Sequence, residues 1–371
     1  MNEDRRGSEI AIVGGGVVGC ALAYDLSRAG ARVTVFERGE LGNEASGASA
    51  GIISPPAPRF GSLTELSILA YRRYPTLIAE IERQSGISTF WNLTGEIVLG
   101  LEGDENALEE LGKWQREHDV VSNLLPQDEL RQREPGVADH FTCGLLTPHV
   151  ASVLLDRVTV ALARSAEHTG ARIYEQTAVH GIETSGGRAT GLRTDSGSYS
   201  LDLLVIAAGA WSRVFSDDLD FSIPTVPVRG QMMAVRDLER PVNSILAHDG
   251  VYIVPRLDGT VAIGATEEPD AEFDSTVTPA GLRWLTDRME RLVPGLVNGR
   301  IASTWAGLRP GTEDGLPLIG RIPHIENSWV CTGHFRSGAL LAPATSELLS
   351  ASILSGEVDP RLNDFNPARV V

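Results

Sequence analysis

Short apolar runs that end in glycine-rich turns recur at both ends of the chain, and the stretches between them have a different character. Ile10-Ala11-Ile12-Val13 has no polar alternation, as expected of a parallel strand buried on both faces. A glycine-rich turn follows, then Ala21-Leu22-Ala23-Tyr24-Asp25-Leu26 at helical spacing, stopping at Gly30. Arg32-Val33-Thr34-Val35-Phe36 reads as the next strand and ends in Glu37, which completes one βαβ unit. The same buried-strand signature returns at Leu203-Leu204-Val205-Ile206-Ala207-Ala208-Gly209. It is preceded by a helical pattern over Val158 to Ala166, extended segments Arg172-Ile173-Tyr174 and Thr177-Ala178-Val179, and a hairpin turn at Gly186-Gly187. A third glycine-punctuated segment, Trp329 to Gly338, leads into an apolar helix from about Leu341 to Leu354.

Residues 61–145 read as helix-rich with charged faces. Residues 222–300 alternate apolar and polar positions, as in Gln231-Met232-Met233-Ala234-Val235 and Val261-Ala262-Ile263-Gly264, the pattern of an antiparallel sheet. The expected fold is therefore α/β plus α+β. A discontinuous Rossmann-like nucleotide-binding domain (1–60, 146–221 and 301–371) carries an inserted substrate domain (61–145 and 222–300) built on an antiparallel sheet.

Composition narrows the choice of partner. The 371 residues carry a net charge of −17, which argues against nucleic acid or an anionic membrane. Three scattered cysteines, Cys20, Cys143 and Cys331, offer neither a disulfide framework nor metal-ligand spacing, so no metal is expected. Met1 to Gly7 is polar and unlike a signal peptide, and no apolar run approaches the roughly 20 residues of a membrane helix. The expected location is the cytoplasm.

In Gly14-Gly15-Gly16-Val17-Val18-Gly19, the first glycine permits a tight turn, Gly16 lets a pyrophosphate approach the backbone, and Gly19 lets helix pack on strand. The helix N-terminus supplies amide N–H groups and a positive dipole end for phosphates. Glu37, at the end of the second strand, is placed for ribose hydroxyls and disfavours a 2′-phosphate. The loop alone does not separate FAD from NAD. The lack of a second such βαβ unit, together with recurring small-residue loops, favours the flavin.

Two further segments suggest a carboxylate clamp beside that flavin: Trp305-Ala306-Gly307-Leu308-Arg309-Pro310-Gly311-Thr312, with Arg309, and Tyr252-Ile253-Val254-Pro255-Arg256, with Tyr252. With Asp314-Gly315-x-Pro317-x-Ile319-Gly320 and the run Gly333-His334-Phe335-Arg336 onward through Thr345, they resemble the D-amino-acid-oxidase-like flavoproteins. Within that superfamily the chain is most similar to the glycine oxidases, over nearly its whole length.

The resemblance implies non-covalent FAD held by Gly14, Gly16, Val17, Val18, Glu37, Arg38 and the small-residue loop Ala45, Ser46, Ser49, Ala50, Gly51 and Ile52. Val179 would hold the adenine, and Ala207, Gly209 and Trp211 would lie further along the cofactor. Gly307, His334, Arg336, Ser337, Gly338 and Ala339 would surround the isoalloxazine. Arg309 and Tyr252 would bind the substrate carboxylate, the fork of the guanidinium matching it bidentately, with Arg336 as a further candidate. His334 tempts as a base, but the reaction needs none if a neutral amine loses its α-hydrogen as hydride to the flavin.

Two positions depart from the glycine oxidase pattern: Glu267 and Ile52 stand where methionines are usual, both expected near the substrate's amine end. Glu267 is expected either to face solvent at the pocket mouth or to pair with a cation. The implied reaction takes glycine or an N-substituted glycine, O2 and water to glyoxylate, ammonia or an amine, and H2O2, in a homo-oligomer. Two alternatives stay open: a D-amino-acid or sarcosine-type dehydrogenase passing electrons to a quinone or protein, and a flavin-binding subunit of a larger complex.

Overall fold

The computed structural model describes residues 7–58, 61–236 and 242–370; the Met1–Gly7 segment thus lies almost wholly outside the described residues, as does residue 60, where the first domain boundary was expected. Two large sheets organise the described chain. The first has six strands in the order Leu318–Arg321, Ser328–Thr332, Leu203–Ile206, Glu9–Val13, Arg32–Phe36, Arg172–Tyr174. All pair in parallel except Leu318–Arg321, which runs antiparallel at the edge. Its central strands are buried on both sides, which is why they read as continuous apolar runs.

Helices Val17–Arg28, Leu155–His168 and Gly338–Ser355 share one core with this sheet. Helix Leu63–Ser85 joins it through Leu66, Tyr74, Ile78 and Ile81, and Arg73 is paired with Asp25 at 2.6 Å. Part of the segment expected in the substrate domain therefore packs on the nucleotide side, because its apolar stripe lies against helices Leu155–His168 and Gly338–Ser355. The opposite side of the sheet packs against a three-stranded meander whose Val179–Ser185 and Arg188–Thr194 strands turn at Gly186-Gly187, both at positive φ.

The second sheet has eight strands in the order Arg300–Gly311, Val226–Arg236, Val261–Gly264, Val251–Pro255, Ile245–His248, Glu96–Leu101, Phe141–Thr147, Asn123–Pro126. Three of them come from the 61–145 stretch, where mainly helix was expected. The expected boundaries at 145/146 and 300/301 fall inside or at the start of paired strands, Phe141–Thr147 and Arg300–Gly311, because long-range pairing draws these segments into one sheet.

The two faces of this sheet differ. Met233, Leu246, Ile253 and Ile263 pack into a core with Leu285, Met289 and Leu292 of helix Pro279–Leu292. On the alternate positions, small residues such as Ala262, Gly264, Gly230 and Gly307 leave room, and this face looks toward the first sheet.

Candidate active site

The loop after the first strand meets the requirements for a pyrophosphate cradle. Gly14 sits at φ 113°, and a Cβ there would overlap the carbonyl of Ala207, just past the neighbouring strand Leu203–Ile206. A Cβ on Gly19 would overlap the Gly14 carbonyl, so the helix lies against the strand only because that side chain is missing. Helix Val17–Arg28 starts at Gly16 without a side-chain cap of its own, and the Val17 amide donates to Ser46 Oγ at 3.0 Å. Glu37 is buried and accepts from the amides of Gly15 (2.7 Å) and Gly39 (2.8 Å). Its carboxylate thus also braces the loop, beyond the ribose contact expected of it.

A cavity of about 450 Å³ runs from this loop to the eight-stranded sheet. Gly14, Gly16, Val17, Val18, Glu37, Arg38 and Val179 line one end. Ala45, Ser46, Ser49, Ala50, Ala207, Gly209 and Trp211 follow. Ile52, Tyr252, Arg309, His334, Arg336, Ser337, Gly338 and Ala339 line the other end, where helix Gly338–Ser355 begins with no side-chain cap. Two helix N-termini without a side-chain cap from their own N-cap residues, and a glycine cradle, along one cavity suit a dinucleotide with an anionic centre.

Three expected residues lie off its wall. Gly51, at φ 72°, packs on the Val153 backbone, and Gly307 packs on Ala48, fixing the small-residue loop against the sheet. Glu267 is half exposed and its carboxylate binds Arg336 at 3.1 Å, so the pairing with a cation is what the fold provides.

Arg309 and Tyr252 come together through strand register. Tyr252 pairs with Gly264, Gly264 with Met232, and Met232 with Trp305, all on one face; Arg309 follows Trp305 by four positions on the same face. A Cβ on Gly264 would sit 2.7 Å from the Tyr252 ring, and one on Gly230 would run into the Arg309 guanidinium. Arg309 Nη1 donates to the carbonyl of Thr266 at 3.1 Å, with Arg229 O at 3.5 Å. Thr266 is itself held: its hydroxyl accepts from the Gln231 amide (2.8 Å) and donates to Glu268, which is paired with Arg229 at 2.7 Å.

Among the described residues three arginines line the cavity, and their counter-charges differ. Arg38 pairs with Glu44 and stacks on the Trp211 ring at 3.7 Å. Arg336 pairs with Glu267. Among the described residues Arg309 has no carboxylate within ion-pair distance; its hydrogen bonds go to backbone carbonyls. A carboxylate delivered from solution therefore meets an oriented, uncompensated cation there.

Two other groups are held uncharged. His334 is buried, its Nε2 3.3 Å from Thr345 Oγ1, and burial lowers its pKa to about 4, so it is neutral. Cys331, the cavity's thiol among the described residues, is pushed up by burial and stays protonated.

Comparison with known proteins matches residues 9–352 to the family described as FAD dependent oxidoreductase. The chain belongs to that family. It is 35% identical over 357 residues to a glycine oxidase of Pseudomonas aeruginosa, covering 95% of this chain and 96% of the relative. Among solved structures, a glycine oxidase from Geobacillus kaustophilus superposes with a TM-score of 0.89 at 31% identity, over 98% of this chain and all of the other. One from Bacillus cereus gives 0.88 at 30% identity, over 96% and 97%.

For this FAD-dependent oxidoreductase, several contributors escaped the sequence reading. Gly230 makes room for Arg309 and Gly264 for Tyr252, and Thr266 anchors Arg309. Glycines inside apolar strands mark a close approach, but only the register shows what approaches them. A second cavity of about 880 Å³, partly walled by Glu96 and Ser54, adjoins the first at Ile52, Tyr252, Arg336 and Ser337. Among the described residues, no helix is long and apolar enough to cross a membrane.

Proposed function

We propose that this protein oxidises glycine or an N-substituted glycine with O2, releasing glyoxylate, ammonia or an amine, and H2O2, with FAD bound non-covalently. The observation that carries the reading is Arg309. It stands on the same sheet face as Tyr252, in the cavity that continues to the glycine-rich loop, and no described carboxylate neutralises it.

Bound FAD supplies the two-electron chemistry, taking electrons from the substrate and passing them to O2. The residues supply orientation. Gly14, Gly16 and the N-terminus of helix Val17–Arg28 would take the pyrophosphate, and the uncapped start of helix Gly338–Ser355 would favour negative charge at the flavin ring. Arg309 binds the acid bidentately and Tyr252 adds a donor, which fixes the substrate's α-carbon relative to the cavity. His334, neutral and bonded to Thr345, positions the loop rather than carrying a proton. The protonated Cys331 supports non-covalent attachment, since a covalent flavin link would need its thiolate.

The test is an aerobic assay of the purified yellow protein with glycine, sarcosine, longer N-alkylglycines and D-alanine, following glyoxylate or pyruvate and peroxide together. Glyoxylate and peroxide in equal amounts support the reading. Oxidation without peroxide points to the dehydrogenase alternative, and no turnover to a cofactor-holding subunit. Acid precipitation should release the flavin from the chain.

A further inference from the structure

Helix Gly338–Ser355 carries a proline, Pro343, about one turn in from the end that meets the flavin cavity. Proline has no amide hydrogen, so the Ala339 carbonyl loses the donor that position 343 would otherwise give it. That bond would have tied the first turn of the helix to the second. Ala339 also lines the cavity, so the donor is missing where the helix start faces the cofactor. Tyr74 of helix Leu63–Ser85 supplies a replacement, its hydroxyl donating to the Ala339 carbonyl. The Tyr74 ring is buried and stacks on Trp91, with centroids 6.2 Å apart. Burial holds its phenol above the ordinary range, so it stays protonated and able to donate.

Arg73, beside Tyr74 in sequence, fixes the same junction. Its guanidinium donates to the Pro343 carbonyl at 2.5 Å and pairs with Asp25 at 2.6 Å and Glu347 at 3.0 Å. Asp25 belongs to Val17–Arg28, the other helix whose N-terminus meets the cavity. One short stretch of helix Leu63–Ser85 thus holds both helices at the proline. A helix start cut loose at a proline tilts, and its amide N–H groups then no longer converge on one point.

We infer that Tyr74 is a positioning residue for the flavin: its hydroxyl replaces the hydrogen bond that Pro343 removes and keeps the start of Gly338–Ser355 aimed at the ring. The inference rests on the placement of the ring beside that helix start proposed above, and it is independent of the substrate. An aimed helix start stabilises negative charge on the ring, so its effect is readable without turnover.

Sulfite is the probe, because its addition to the oxidised ring leaves negative charge there and bleaches the absorbance. The FAD-loaded wild type should titrate to saturation. Tyr74→Phe, which removes only the hydroxyl, should raise the sulfite Kd about fivefold. Pro343→Ala returns an amide donor to Ala339, so in that background Tyr74→Phe should change the Kd by less than about twofold. Comparison within each background cancels what the proline does by itself. If Tyr74→Phe alone does not hold FAD, the double variant should hold it. A lowered Tm in Tyr74→Phe with an unchanged sulfite Kd makes the hydroxyl merely structural and overturns the inference. An equal rise in both backgrounds, or a double variant that holds no FAD, overturns it too. In each of these cases the placement of the ring stands as long as the wild type binds sulfite. A wild type that binds none removes that placement, and the inference with it.

Discussion

The guanidinium of Arg309 lies directly over Gly230 of the adjacent strand, in space that any β-carbon at that position would occupy. Arg309 is thus aimed by a missing side chain as much as by its hydrogen bond to Thr266. Gly230→Ala should displace the guanidinium and lower kcat/KM for glycine at least tenfold, since a charge-assisted hydrogen bond contributes about 1.5–3 kcal/mol. FAD content should hold, because Gly230 does not line the cofactor cavity. Steady-state kinetics with flavin quantification checks this.

Arg309→Ala should lower kcat/KM with every carboxylate substrate by tens- to hundreds-fold while FAD stays bound. Arg309→Lys should recover little, because an ammonium cannot reproduce the two-pronged fork. Near-normal kinetics in either variant would place the acid elsewhere.

Glu267 holds Arg336 at the junction of the two cavities, and both side chains are about half exposed. The pair adds little to stability at such exposure, so Glu267→Met should leave Tm nearly unchanged. It should, however, leave the Arg336 cation uncompensated. The relative kcat/KM for N-(carboxymethyl)glycine over glycine should then rise at least threefold, since the added carboxylate can meet Arg336. An unchanged ratio would show that Arg336 does not face the substituent.

His334 gives a pH signature in stability. Its pKa is lowered to about 4 in the folded protein, against an ordinary 6.5 when unfolded. The unfolded chain therefore binds the extra proton first as pH falls, so the contribution is intact above about 6.5 and is lost progressively toward about 4. By pH 5 the loss should be about 2 kcal/mol. Urea unfolding of wild type and His334→Asn at pH 7 and pH 5 isolates it: wild type should lose more stability than the variant by roughly that amount. Equal losses would mean that the imidazole is accessible to solvent.

Much of the cofactor side was legible in the chain. The apolar runs at Ile10 and Leu203, the glycine loop and the Gly186-Gly187 turn each encode their local structure directly, and all appear in the fold. The eight-stranded sheet was legible only in part. Glu96–Leu101 pairs in parallel with Ile245–His248, nearly 150 positions later, and no local pattern announces such a partner. Residues 61–145 read as helix-rich, but the packing of Leu63–Ser85 against Leu155–His168 and Gly338–Ser355 is a tertiary fact. Likewise Arg309 and Tyr252 were visible as residue types, whereas the glycines beneath them gain meaning only from register. The Glu267–Arg336 pair joins positions 69 apart, and only the fold decides between solvent and that partner.

The proposed oxidation requires a carboxylate bound at Arg309. Anaerobic mixing of the yellow protein with glycine or sarcosine, set beside ethylamine or dimethylamine, which lack the carboxylate, tests it most directly through the loss of flavin absorbance. The acids should bleach the flavin at least a hundredfold faster than the carboxylate-free amines, and Arg309→Ala should remove most of that difference. Bleaching by the simple amines at a comparable rate, or a difference that survives in Arg309→Ala, would contradict it.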